Sequence, residues 1–151
     1  MRGKRRYITL VVPVFIIEIL NEVERYMGFP LGTIYSKAVL MLYNHFQQGK
    51  ITENDLINMF AESRDDFRGK RWMDAELGHP TFELSFSVAE EIWQKEQELM
   101  NVVKVEQGER TAFRYMVFRY FIKGNRDLML LVSMIEAYNM QIHPLMKKYT
   151  L

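Results

Sequence analysis

There is no cysteine in this sequence. Its absence removes a disulfide framework, a thiolate zinc site and a cysteine nucleophile together, and it fits a reducing compartment. Histidine is scarce as well. His45, His79 and His143 lie far apart, and none has the spacing of a helical metal motif. The chain also lacks an excess of either charge. Twenty Lys and Arg stand against nineteen Asp and Glu, a formal net charge of +1, which excludes a uniformly basic coat but not a local basic patch. The longest apolar runs, 10–20 and 128–135, are shorter than the ~20 residues that a bilayer requires, and the first holds Pro13 and Glu18. No small-residue cleavage site follows the basic start, as a secretory signal would need. Gly-rich phosphate loops and G-x-S-x-G are missing, and the carboxylate pairs Asp65-Asp66 and Asp74-x-Glu76 sit in a polar stretch where such groups are usually solvated. The expectation is a soluble cytoplasmic protein that is not an enzyme, holds no metal or cofactor and contacts no membrane.

What is present is periodicity. Tyr7, Thr9 and Val11 alternate with Ile8, Leu10 and Val12, the period of a strand with one buried face. Pro13 cannot donate to a ladder and suits the start of a helix. Ile16, Ile19, Leu20, Val23 and Met27 then recur at helical spacing, and Gly28 is a natural residue to follow a helix end. After Phe29-Pro30 a second amphipathic helix carries Ile34, Tyr35, Ala38, Val39, Leu42, Tyr43 and Phe46 to Gln47-Gln48-Gly49. The middle is less regular. Thr52 and Asp55 resemble a helix N-cap pair, with Leu56, Ile57 and Phe60 as a short apolar face. Arg64, Arg68, Lys70 and Arg71 precede Trp72 in what reads as a solvated connector.

Then the opening pattern returns. Phe82, Leu84, Phe86 and Val88 alternate with Thr81, Glu83, Ser85 and Ser87, and Ala89 stands where Pro13 stood. Ile92, Leu99 and Val103 match Ile16, Val23 and Met27 at one constant offset, although Lys95 and Glu96 replace Ile19 and Leu20. A turn about two residues longer leads to Gly108, which opens a helix with the stripe Ala112, Phe113, Met116, Val117, Tyr120 and Phe121. The order, faces and spacing of an internal duplication are therefore legible. The aromatic residues Tyr115, Phe118, Tyr120 and Phe121 read as core, and the eleven Met as adaptable core filler. A last helix, from about Asn125 to Met140, is apolar nearly all round across 128–135, so it is expected to be buried, including across a dimer interface.

The run from Tyr7 to Pro13, followed by a helix, Gly28 and a second helix, resembles the ribbon-helix-helix (MetJ/Arc) DNA-binding family. The run from Phe82 to Trp93 resembles that family's strand-to-helix junction, and together the copies cover about 90 of the 151 residues. The plan is similar to that of tandem regulators of archaeal viruses or plasmids. The resemblance implies a mainly α fold with a small antiparallel β-ribbon, two motifs in one chain forming a pseudo-dimer. The division is 1–48 and 81–124 for the two motifs, 49–80 for a connector with a short helix, and 125–151 for a C-terminal helix that could mediate oligomerisation. A two-stranded ribbon fits the major groove of B-DNA, with outward side chains at base edges, and a helix N-terminus suits a backbone phosphate.

Carried over position by position, the resemblance makes Arg5, Tyr7, Thr9, Val11, Glu83, Ser85 and Ser87 base-facing. It gives Lys4 and Arg6 phosphate contacts and makes Leu31, Gly32 and Thr33 a phosphate clamp, with Glu109, Arg110 and Thr111 at the second. Some positions depart from the family pattern. Val11 offers only a methyl contact, Glu83 accepts from cytosine N4 but repels phosphates, and Glu109 opposes one. The implied function is sequence-specific binding of double-stranded DNA in transcription regulation, as a repressor or activator, by a homodimer or higher homo-oligomer. The alternative is a non-enzymatic protein-interaction or plasmid transfer/partition accessory role on the same fold. Whether the two strands pair within one chain or between chains stays open, because the connector is long enough for either.

Overall fold

A computed structural model describes residues 4–68 and 81–142. Strand β1 (Arg5–Pro13) leads directly into helix α1 (Val14–Met27), followed by α2 (Leu31–Gln47) and α3 (Glu53–Arg68). Strand β2 (Thr81–Ala89) leads into α4 (Glu90–Val103), a 3-10 turn (Gln107–Glu109), α5 (Arg110–Lys123) and α6 (Arg126–Ile142). The described residues are thus mainly helical with one small antiparallel sheet, in which β1 pairs with β2 of the same chain.

The register explains why this ribbon forms. Thr9 faces Ser85 at the centre of nine paired positions, four on either side. Ile8, Leu10, Val12 and Val88 point inward and are fully buried, and Leu84 and Phe86 pack partly against the same core. A one-residue slip would turn that whole set toward water, so burial fixes the pairing. Phe82 is the exception to the expected alternation. It lies at the open end of the ribbon and stays 49% exposed.

Both strands end alike. Pro13 and Ala89 hold extended backbone immediately before α1 and α4. The helices also end alike: Gly28 closes α1 in the left-handed region at φ 71°, and Lys104 closes α4 there at φ 57°. Glycine adopts that conformation freely, while lysine adopts it at a cost. The connections then differ. Gly108 belongs to the 3-10 turn rather than opening a helix, and α5 begins at Arg110. Measured from Gly28 and Lys104, the second connection is three residues longer, not two, and the three-residue 3-10 turn accounts for the difference.

The second helices cross over. The start of α2 lies against β2, where the Gly32 α-carbon approaches the Ser87 carbonyl so closely that any side chain would collide with it. The start of α5 lies against β1, where Thr111 Oγ1 accepts from Val11 N–H at 3.4 Å. Helix α3 covers α5 through Leu56, Phe60 and Ser63, whose hydroxyl donates to the Ala112 carbonyl at 2.7 Å. Ile57, expected on that face, points outward and is 38% exposed.

Helix α6 corrects another expectation. Asn125 Oδ1 caps it by accepting from Leu128 N–H at 3.1 Å, and Leu128, Val132 and Glu136 face inward. Leu130, Met134 and Tyr138 face out and are 57%, 71% and 63% exposed, so within one chain this apolar helix is buried on one side only. The helix reaches two residues beyond the expected Met140, and His143-Pro144, expected to end it, lie outside the described residues. Among the described residues no helix is long and apolar enough to cross a membrane.

Candidate nucleic-acid interface

The inward residues that seal one face of the ribbon leave the alternate set on the other. Tyr7 is 81% exposed and Val11 41%, while Glu83 and Ser85 are exposed and Thr9 and Ser87 partly so. Opposed pairs on this face are Tyr7 with Ser87, Thr9 with Ser85 and Val11 with Glu83. The Thr9 carbonyl and the Val11 N–H both turn to the outer edge of β1, where α5 receives them. These outward pairs are therefore the close, non-hydrogen-bonded kind in which facing side chains touch. Thr9 Oγ1 and Ser85 Oγ stand 3.1 Å apart and share a hydrogen bond at the centre of the face. Hydroxyls of this kind both donate and accept, which suits either edge of a base pair.

The basic residues are more engaged than the sequence suggests. Arg5 lies across the ribbon, with Nη2 donating to the Ser87 carbonyl at 2.9 Å and to Ser87 Oγ at 3.2 Å. Arg6 is held by Glu90 through two hydrogen bonds of 2.7 and 3.1 Å, and its guanidinium stacks 4.3 Å from the centre of the Trp93 ring. Those hydrogen bonds hold the Glu90 carboxyl below the usual carboxylate range and raise Arg6 further. Lys4 is exposed, and its carbonyl accepts from Glu90 N–H at 3.0 Å, which pins the ribbon to the start of α4.

At the start of α2 the expected clamp already holds an anion of the chain's own. Leu31 N–H donates to Glu24 Oε2 at 2.8 Å, Thr33 N–H bonds back to the Pro30 carbonyl at 3.0 Å, and Gly32 is packed on Ser87. Arg5, Glu24, Leu31, Gly32, Thr33 and Ser87 line a shallow polar recess beside the ribbon. At the start of α5, Arg110 is exposed. Glu109 is drawn away from solvent, its carboxylate accepting from Glu106 N–H at 3.1 Å and lying 3.9 Å from Arg64. The three-residue insertion makes Arg110, Thr111 and Ala112 the counterparts of Leu31, Gly32 and Thr33, one position later than expected.

The sequence did not single out the cluster beneath the ribbon. Glu96 is fully buried on α4 and accepts from Arg114 Nε and Nη2, both at 3.1 Å, and from the Tyr35 hydroxyl. Arg114 Nη1 reaches on to the Thr9 carbonyl at 3.2 Å. Burial, then the facing carboxylate, pushes the Tyr35 phenol well above its ordinary range. Burial alone would lower Arg114, but its hydrogen bonds and charge attraction to Glu96 outweigh that and raise it. The signal available was the mismatch of Glu96 with Leu20 in an otherwise apolar register.

Among the histidines, His45 Nδ1 pairs with the Tyr120 hydroxyl at 2.6 Å, while His79 and His143 lie outside the described residues. Asp74, Glu76, Lys70 and Arg71 lie outside them too. What the geometry defines is a mainly helical chain whose β1–β2 ribbon is sealed on one face and open, with mixed hydroxyl, aromatic and charged groups, on the other. A scan against protein-family models and searches of curated proteins and of solved structures find no match to this chain.

Proposed function

We propose that this chain is a sequence-specific double-stranded DNA-binding regulator of transcription, built as two ribbon-helix-helix motifs in one polypeptide, that seats its β1–β2 ribbon in the major groove. The observation that carries the reading is the open face of the ribbon, centred on the Thr9–Ser85 pair and sealed behind by the core. A ribbon of this width fits the major groove, and its outward side chains then reach base edges. Thr9 and Ser85 supply hydroxyls at the centre, Val11 an apolar contact for a thymine methyl, and Glu83 an acceptor for cytosine N4. Lys4 and Arg110 are the exposed cations nearest the strand and helix starts, and Arg5 can exchange Ser87 for a base or a phosphate. Because Tyr7, Thr9 and Val11 differ chemically from Glu83, Ser85 and Ser87, one chain reads a half-site without twofold symmetry. A palindromic operator then requires two chains.

Fluorescence anisotropy with the gene's own upstream DNA against scrambled DNA, each at two salt concentrations, tests the proposal. Preference for the native sequence, together with affinity that falls as salt rises, is the expected result. Equal affinity for both DNAs removes sequence-specific regulation, and no binding to either removes DNA altogether.

One observation favours the second reading, a protein-interaction role: Leu130, Met134 and Tyr138 form an exposed apolar stripe at four-residue spacing on α6. In the DNA-binding reading, that stripe is the surface on which two chains pair.

A further inference from the structure

The buried charge cluster lies where the two strand–helix–helix segments meet, and both of its charged members come from the second. Thr9 and Tyr35 belong to the first segment, and Glu96 and Arg114 to the second. The ribbon has an approximate twofold axis through the Thr9–Ser85 pair, because every position on β1 faces the counterpart of its own mirror position on β2. The same axis relates Gly32, on the Ser87 carbonyl, to Thr111, on the Val11 N–H. Three residues further along each helix, it relates Tyr35 to Arg114. On the first helices it relates Leu20, fully buried, to Glu96, also fully buried. Around one axis, then, stand Leu20 and Tyr35 from one side, and Glu96 and Arg114 from the other.

We infer that this cluster sets partner choice: it makes each segment a complement for the other and a poor partner for its own copy in a second chain. Two first segments pairing through β1 would bury two Tyr35 hydroxyls opposite Leu20, with no carboxylate to receive them. A buried donor without an acceptor forfeits the bonds it made with water. Two second segments pairing through β2 would set two Glu96–Arg114 pairs in one core, each Glu96 without the Tyr35 hydroxyl that shares its desolvated charge in the native chain. The Glu96–Arg114 bonds lie within the second segment, and only the mixed pairing adds the Tyr35 hydroxyl to Glu96 and the Thr9 carbonyl to Arg114. Polar groups that reject wrong partners in this way confer specificity even where they add little stability. The surface concerned is the inner face of the ribbon and its helices, so the inference holds whatever the outer face binds.

The absence of native cysteine makes a direct test possible. The twofold geometry places Thr9 opposite Thr9 of another chain in a β1–β1 ribbon, so the full-length Thr9→Cys chain reports like-with-like pairing as an interchain disulfide. A Thr9→Cys, Ser85→Cys chain reports native pairing as an intrachain disulfide. Refolding the Thr9→Cys chain and oxidising it should give little disulfide dimer. Adding Glu96→Leu and Arg114→Tyr, which give the second segment the chemistry of the first, should raise the interchain fraction about tenfold or more. Should that variant not fold, Thr9→Cys with Tyr35→Phe serves instead, since it removes only the mismatched hydroxyl and should raise interchain crosslinking in the same direction. A Lys50→Cys chain, with its cysteine exposed just after α2, measures the background from random collision. Two outcomes overturn the inference. One is a disulfide dimer of the Thr9→Cys chain above background with the cluster intact. The other is an unchanged interchain fraction in every folded cluster variant while the double-cysteine chain still closes within itself.

Discussion

Thr9 takes part in two different arrangements. Its hydroxyl shares a hydrogen bond with Ser85 on the open face, and its carbonyl accepts from Arg114 at the ribbon edge. Thr9→Ala removes the first and leaves the second, so stability should hold and, in the proposed DNA-binding reading, affinity for the preferred site should fall by about 1–3 kcal/mol. Paired measurements of melting temperature and anisotropy check this, and equal affinity would take the centre of the ribbon out of the interface. Tyr35 is the opposite case, buried and remote from solvent. Tyr35→Phe deletes its hydrogen bond to the Glu96 carboxylate and should cost about 1.5–3 kcal/mol near neutral pH. In the unfolded chain the phenol loses its proton near pH 10, whereas the folded chain, with its raised value, retains it. The folded state therefore binds more protons above that pH, and stability falls as pH rises toward the folded value. Urea midpoints at pH 7 and pH 10.5 should show the parent losing more stability between them than the phenylalanine variant. Glu90 gives the acid-side counterpart. Its lowered value means the contribution of the Arg6 pair is present above the unfolded carboxyl value and lost as pH falls through the folded one.

At the scale of elements, the two strands and the helices that follow them were legible because periodicity reports burial directly. Ile8, Leu10 and Val12 alternate in sequence and are all fully buried in the ribbon. Pro13 and Ala89 mark equivalent strand-to-helix junctions. The 3-10 turn was not legible, since Gln107–Glu109 carries no periodic signal and Gly108 mimics a helix opening. Glu96 was visible only as a break in an apolar register, because its partners Tyr35 and Arg114 are 61 and 18 residues away in sequence. The open face of the ribbon followed from alternation, but Arg6 with Glu90 and Leu31 with Glu24 depended on tertiary geometry that no local pattern contains. Lys104 offers an element-scale experiment. It occupies the left-handed position that Gly28 occupies in the first segment. Lys104→Gly should therefore relieve backbone strain and stabilise the chain by about 0.5–1 kcal/mol, net of the greater entropy of unfolded glycine. A rise in the urea midpoint without a change in slope is the expected readout.

For the whole molecule, α6 carries the exposed apolar stripe that, in the regulatory reading, pairs two chains. Its inner residues Leu128 and Val132 are part of the core, so deleting the helix would expose apolar surface as well as remove an interface. The outer stripe can be altered without that damage. Leu130→Glu with Met134→Glu should leave the melting temperature nearly unchanged and weaken self-association, read as a lower mass in sedimentation at matched concentration. In the regulatory reading, the same variant should bind a half-site as before and lose the advantage of a palindrome.

The two strands of the ribbon are far apart along the chain, with about 70 residues between Pro13 and Thr81. During synthesis at about 5–20 residues per second, β1 leaves the ribosome several seconds before its partner exists. Throughout that interval a flat apolar row of Ile8, Leu10 and Val12 has no strand beside it, and neighbouring ribosomes on one message hold identical copies within reach. Such long-range closure is also slow once the chain is complete. The time between the appearance of β1 and that of β2 is therefore the period in which the nascent protein is most prone to aggregate, and slowing translation between residues 13 and 81 should lower soluble yield in the cell.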